Sequence, residues 1–215
     1  MRGGWSWGPV AILVLGSLSG LPAGRLAAQE GVLPDSLGEA ITNEGVVRAS
    51  AAVDSVLLDG LATDRVVAVG DFASYLMARL GVVPIPPDLR FRVVPDTAML
   101  RLTGRVADLP AEAVSEIGPL LAFLDPETRI DALVSLTPET ARAVRFRLAE
   151  VRIGGARVPD DILQVVMSDV GRRYPALSRT GRDLFVEIPV GASITLVAGG
   201  VRLVGPPGGR EGAGR

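Results

Sequence analysis

Histidine, cysteine and lysine do not occur among the 215 residues, and all 22 basic residues are arginine. Each absence removes a class of chemistry. Without His there is no imidazole to serve as a general base near neutral pH or as a metal ligand. Without Cys or Lys there is no thiol or amine nucleophile and no Schiff base. His-dependent serine hydrolases, thiol enzymes and Cys/His zinc sites are excluded by inventory, which leaves carboxylate, Tyr, Ser/Thr or Arg chemistry. Aromatics are scarce at 4%, and both tryptophans, Trp5 and Trp7, stand at the start of the chain. The inventory favours a binding role over catalysis.

The first 28 residues have the pattern of a secretory signal. Arg2 supplies a positive start, Pro9-Val-Ala-Ile-Leu-Val-Leu-Gly-Ser-Leu18 a short apolar run, and Ala27-Ala28 the small residues of a cleavage site before Gln29. The run is shorter than the ~20 residues of a membrane span, and Gly16, Gly20 and Pro22 interrupt it. Retention as an N-terminal anchor is the rival reading. Cleavage removes Arg2, Arg25 and both tryptophans, leaving 20 Arg against 24 acidic residues, or net −4. A chain without a strongly basic balance is a poor nucleic-acid binder, and one without Trp lacks the usual platform for sugar rings. The expected location is extracytoplasmic, periplasmic or secreted. With no cysteine there is no disulfide framework, so a hydrophobic core must hold the fold. At 48% hydrophobic, roughly 185 mature residues suffice for one such core.

Residues 29–45 read as a polar, flexible lead-in, residues 46–204 as a single domain, and 205–215 as a disordered Gly/Pro-rich tail. Within the domain, Asp71 is placed to cap a helix over 71–80 whose apolar face is Phe72, Tyr75, Leu76 and Leu80, with Gly81 as its stop. A second helix starts after Pro159, with Asp160 and Asp161 in its first turn and Arg172-Arg173 at its end. Its buried stripe is Leu163, Val166, Met167 and Val170, with Gln164, Ser168 and Arg172 turned to water. A shorter helix is expected in Ala111–Leu124, and residues 49–58 fit helix or strand. Two-residue alternation marks strands at 98–107, 129–136 and 144–148, and further strands fit 89–94, 151–153, 184–188, 193–197 and 201–204. Pro95-Asp96 and Thr137-Pro-Glu-Thr140 read as short links between antiparallel neighbours. The expected class is α+β, a long curved antiparallel sheet packed against two or three amphipathic helices.

Three candidate sites emerge. The helix after Pro159 either closes an apolar groove over the sheet or is simply a core helix. As a groove, its lining would be Phe72, Leu76, Leu163, Val166, Met167 and Val170. Arg172, Arg173, Arg179 and Arg182 near Tyr174 either hold an anionic headgroup through their guanidinium forks or are solvated charges at a helix end. Asp125, Glu127, Asp131, Glu139, Glu150, Asp160, Asp161 and Asp183 could supply a hydrolytic carboxylate pair, but acids belong equally on helix starts and sheet exteriors. Neighbouring acids on a helix point apart, so Asp160-Asp161 is no calcium loop, and no metal or other cofactor is expected.

The segments Val151-Arg-Ile-Gly-Gly-Ala-Arg-Val-Pro-Asp-Asp-Ile-Leu-Gln-Val-Val166 and Leu184-Phe-Val-Glu-Ile-Pro-Val-Gly-Ala-Ser-Ile-Thr-Leu-Val-Ala-Gly-Gly-Val-Arg-Leu203 resemble bacterial exported proteins of the tubular lipid-binding (TULIP) superfamily, in particular its LmeA-like phospholipid-binding family. The resemblance covers at most residues 71–204. It implies a curved antiparallel sheet wrapped around a helix, with acyl chains held between them. Two readings follow: an exported, non-enzymatic binder of a lipid or other apolar ligand, with a membrane surface as further partner and no nucleic acid, or a structural or protein-interaction domain of the envelope with a solid core. A carboxylate hydrolase stands third. Intact-mass analysis of exported protein is expected to show a chain beginning at Gln29; one retaining Met1 or Arg2 would reject cleavage.

Overall fold

A computed structural model describes residues 38–96, 99–109, 124–178 and 180–207, without the side chains of Val166, Asp169, Val170 and Arg173. The expected signal, Arg179 and residues 208–215 lie outside this set, and of the helix expected in Ala111–Leu124 only Leu124 is described.

Two helices form first along the chain, and both are set by contacts from a distance. A short strand β1 (Glu39–Ala40) precedes α1 (Asn43–Val53), where Thr42 caps the helix by accepting from the Gly45 N–H at 2.9 Å. The ambiguous stretch 49–58 is helical: α1 continues into a π-turn over Asp54–Leu58. Strand β2 (Asp64–Val67) leads into α2 (Val69–Arg79). Asp71 does not cap α2. Ala68 occupies the cap position, and the Glu39 carboxylate accepts from the Gly70 N–H at 2.7 Å instead. Asp71 takes a two-pronged pair from Arg48 of α1 at 2.7 and 2.8 Å. The helices cross closely because α1 offers Gly45, where a Cβ would stand 2.7 Å from the Ser74 hydroxyl. Fully buried Ser74 donates to Gly70 O and accepts from Thr42 N–H. The lead-in is therefore structural from residue 39 onward, ahead of the expected boundary at 46.

The remaining strands are β3 (Arg92–Asp96), β4 (Met99–Arg105), β5 (Arg129–Thr140), β6 (Ala143–Ile153), β7 (Ala156–Arg157), β8 (Asp183–Glu187), β9 (Ser193–Val197) and β10 (Gly200–Val204). The third helix, α3 (Asp160–Arg173), lies between β7 and β8. The class is α+β, and the paired strands are antiparallel. One sheet of seven strands runs β1-β3-β4-β5-β6-β7, with β8 sharing the outer edge of β6. The hairpin β9–β10 leaves that sheet and joins β2 in a second one, ordered β2-β10-β9. Thr137-Pro-Glu-Thr140 is strand rather than link; the β5–β6 turn falls at Ala141-Arg142.

Register explains the alternation seen in the sequence. Leu102, Ala132 and Val151 stand in one row of the inner face, and Leu100, Val134 and Leu148 in the next. On the outer face Thr103, Asp131 and Arg152 stand side by side, with Arg129 paired to Asp131 at 2.9 Å. Two apolar clusters cover the inner face. One joins α1 and α2 to Val93, Leu100, Val144 and Phe146 of the large sheet and to Ile194, Val201 and Leu203 of the small one. Phe72, fully buried, stacks obliquely 5.7 Å from Phe146; such burial is worth about 1.5–3 kcal/mol. The second cluster packs Leu163 and Met167 of α3 on Leu148, Val151 and Ile153. On α3 Arg172 is exposed as expected and so is Val165, at 74%, whereas Gln164 and Ser168 are half-buried and bonded to each other at 3.1 Å. The expected tail begins late, because buried Gly205 still donates to Thr63 O at 2.9 Å. Arg202 reaches both Asp64 carboxylate oxygens from Nε at 3.0 Å, and this holds the Asp64 carboxyl below the usual range.

Ser74→Ala is expected to cost about 1–3 kcal/mol, a few degrees in Tm, because the Thr42 N–H loses its partner where α1 meets α2. An unchanged melting curve would show that water replaces the hydroxyl.

Candidate functional site

The two apolar clusters do not close on each other. Between them lies a partly open cavity of about 240 Å³. Its floor is the inner face of the large sheet, where Leu102, Ala132, Val134, Phe146, Leu148 and Val151 point inward. Leu76, Met77 and Leu80 of α2 form one wall, and Met167 of α3 with Leu177 another. The rim is the connection after α2, through Val82, Leu89 and Phe91. Two features fix that rim. The Asn43 side chain accepts from Ile85 N–H at 2.7 Å and donates to Ile85 O at 3.0 Å, as a strand neighbour would. Gly104 supplies an inner-face position without a side chain, and the Phe91 ring fills it; a Cβ there would stand 2.9 Å from ring carbons.

The opposite side of the cavity depends on an interrupted sheet edge. β8 pairs with β6 over Ala143–Arg147 and β7 pairs with it at Arg152–Ile153, so on this edge residues 148–151 have no strand beside them. There β6 bulges: Leu133 stands opposite Glu150 but Val134 opposite Leu148, leaving Ala149 as the extra residue. Arg182 bridges the gap. Its backbone oxygen accepts from Leu148 N–H at 2.9 Å, while Nε and Nη2 donate to the Leu148 and Ala149 carbonyls at 3.1 Å each. Nη1 lies 3.4 Å from Asp160 at the start of α3. Gly181 makes this approach possible: at φ +70° it sits against α3, where a Cβ would overlap Met167 O at 1.6 Å. Gly171 answers from the helix, with room for no Cβ against Ser178 O and Gly181 N.

Of the residues expected to line a groove, the structure brings Leu76 and Met167 to the cavity. Phe72 and Leu163 lie beneath it, fully buried in one cluster each. Val166 and Val170 have no described side chains. Of the four arginines, Arg179 lies outside the described residues, and the other three do not all stand at one end of α3. Arg182 is turned to the start of α3, whereas exposed Arg172 and the backbone of Arg173 stand at its end, about 18 Å along the helix axis. Arg182 is the one charged side chain among the described lining residues, and Tyr174 adds a phenol.

The candidate carboxylates do not line the cavity. Glu127, Asp131, Glu139, Glu150, Asp160 and Asp183 form ion pairs with Arg105, Arg129, Arg145, Arg152, Arg157 and Arg147 respectively. Asp125 stabilises its own turn by accepting from Glu127 N–H at 2.8 Å. No cluster of three potential metal ligands occurs among the described residues. Comparison with family models, with curated proteins and with solved structures finds no match for the chain.

The sequence placed Leu89 and Phe91 in a strand over 89–94 and did not mark Val82; the strand begins at Arg92, and all three sit in the connection before it. The available signal was the apolar loop itself, punctuated by Gly81, Pro84, Pro86 and Pro87. Gly181→Ala is expected to cost more than about 2 kcal/mol, since it combines left-handed backbone strain with a collision at Met167 O. A thermal melt within a degree of wild type would show that α3 can move away without loss.

Proposed function

We propose that this chain is an exported, non-enzymatic protein that holds a lipid or another apolar ligand between α2, α3 and the inner face of its large sheet. The observation that carries the reading is the cavity of about 240 Å³ with its almost wholly apolar walls. At about 24 cal/mol per Å³, leaving such a volume unfilled forgoes on the order of 5 kcal/mol. That is comparable to the whole stability of a modest domain, an upper bound for a cavity that is partly open to solvent. The volume lies above the ~150 Å³ of a cavity that takes benzene and just below the ~300–1,000 Å³ of drug-sized sites. It suits one acyl chain better than two.

Supporting arguments come from the sequence. The 28-residue leader has the form of an export signal, and the inventory lacks the usual nucleophiles and bases. The resemblance of 151–166 and 184–203 to TULIP lipid carriers points the same way, although α3 at 14 residues spans only about 21 Å. A headgroup site spread over Arg172, Arg173, Arg179 and Arg182 is not part of this proposal, because Arg182 is turned away from the helix end.

Fluorescence of N-phenylnaphthylamine tests the reading. The protein is expected to enhance its emission saturably, and dodecanol to displace it. Ala132→Phe places a ring on the cavity floor and is expected to weaken binding roughly tenfold or more while leaving Tm unchanged or raised. No saturable binding by wild type would return the protein to a structural or interaction role.

A further inference from the structure

Arg182 presents an electrostatic imbalance. Its side chain is only 9% exposed and borders an apolar cavity, yet its one ion-pair partner among the described residues is Asp160, which is 61% exposed. That pair is long at 3.4 Å, and Asp160 also serves Arg157 at 3.0 Å. The two carbonyls of Leu148 and Ala149 orient the guanidinium without neutralising it. Buried charges are ordinarily paired, because desolvation of an uncompensated cation costs several kcal/mol. The guanidinium carries five N–H donors. Bonds to Leu148, Ala149 and Asp160 use three, which leaves one on each terminal nitrogen among the described residues.

We infer that Arg182 is a carboxylate-binding residue, and that the natural ligand is an anionic single-chain amphiphile of the fatty-acid class, its tail in the cavity and its head on the two remaining N–H groups. The inference rests on the apolar-ligand reading above and adds the head to it. Two donors on adjacent terminal nitrogens match the two oxygens of a carboxylate, the geometry in which an Arg fork binds most selectively. The guanidinium is already held by the bulge carbonyls, so little side-chain freedom is lost on binding. The ligand brings the negative charge that Asp160 supplies only weakly. Apolar walls around the pair strengthen it relative to water.

The experiment compares dodecanoate with dodecanol, each below its micelle concentration, on the full-length protein. Wild type is expected to bind dodecanoate roughly tenfold or more tightly than dodecanol, the worth of a charge-assisted hydrogen-bond pair. Arg182→Gln is expected to erase the preference while still binding dodecanol. Because Arg182 also closes the β6 edge, that variant is checked for its fold by circular dichroism, and a second measurement needs no mutation. Carbon-13 NMR of carboxyl-labelled dodecanoate gives the pKa of the bound acid. Pairing with a guanidinium lowers it below the free value, whereas burial in an apolar cavity without a partner raises it. Equal affinity for acid and alcohol, or a raised carboxyl pKa, overturns the Arg182 assignment and leaves the apolar cavity standing. Binding of neither molecule removes both.

Discussion

Four residues of one strand, 148–151, set the plan of the cavity side of this molecule. Strand β6 is too long for either of its outer neighbours, and its backbone groups between β8 and β7 would face apolar surroundings unpaired. The chain satisfies them piecemeal. Arg182 supplies a carbonyl and two guanidinium donors, and the Val158 N–H donates to Val151 O at 2.8 Å. Val158 leads directly into α3, so the repair of the edge also delivers the helix that walls the cavity. The bulge at Ala149, the glycines at 171 and 181, and the start of α3 at Asp160 are parts of one solution. A continuous strand partner in place of Arg182 would have no need of α3 at this position.

The cavity results from the division of the core between two supports. Helices α1 and α2 are held together by Ser74, Gly45 and the Arg48–Asp71 pair, and they pack on the small sheet as well as the large one. Helix α3 is held by Gly171, Gly181 and its seat on β6. Helix α3 is locked by close backbone approaches at Gly171 and Gly181, whereas α1 and α2 are tied by the buried Ser74 hydroxyl and the Arg48–Asp71 pair. Neither can slide toward the other without displacing a carbonyl or a buried hydroxyl. The gap persists because its edges are fixed independently.

Legibility in the sequence followed the range of the interactions. Period-two alternation in Leu100–Gly104 and Ile130–Leu136 gave strands and inner faces directly, because the signal is local, although β4 gives way to a 3-10 turn at Val106. Helix α3 was equally plain from Pro159, Asp160 and its apolar stripe. Asp71 was misread because its competitor for the capping role, Glu39, lies 31 residues away from Gly70. Strand β2 went unseen because Asp64-Arg65-Val66-Val67 is short and carries no alternation, taking its strand form from β10. Arginine spacing near 172–182 suggested a cluster, but Gly181 and the β6 bulge decide where Arg182 goes, and neither is visible as a charge pattern. That the inner face would border a cavity and not a filled core depends on where two independently held helices stop.

The outer face of the large sheet, with guanidiniums set against Asp131, Glu139, Glu150 and Asp183, has a consequence for proton exchange. Imidazole and thiol are the side chains that ordinarily exchange protons near neutral pH, and phenol does so well above it. Burial pushes the Tyr75 phenol higher still. With no imidazole, thiol or side-chain amine in the chain, the side-chain groups that ordinarily exchange a proton between roughly pH 6 and 9 are missing. Over that interval the molecule is a nearly constant charge, with almost no buffering capacity of its own.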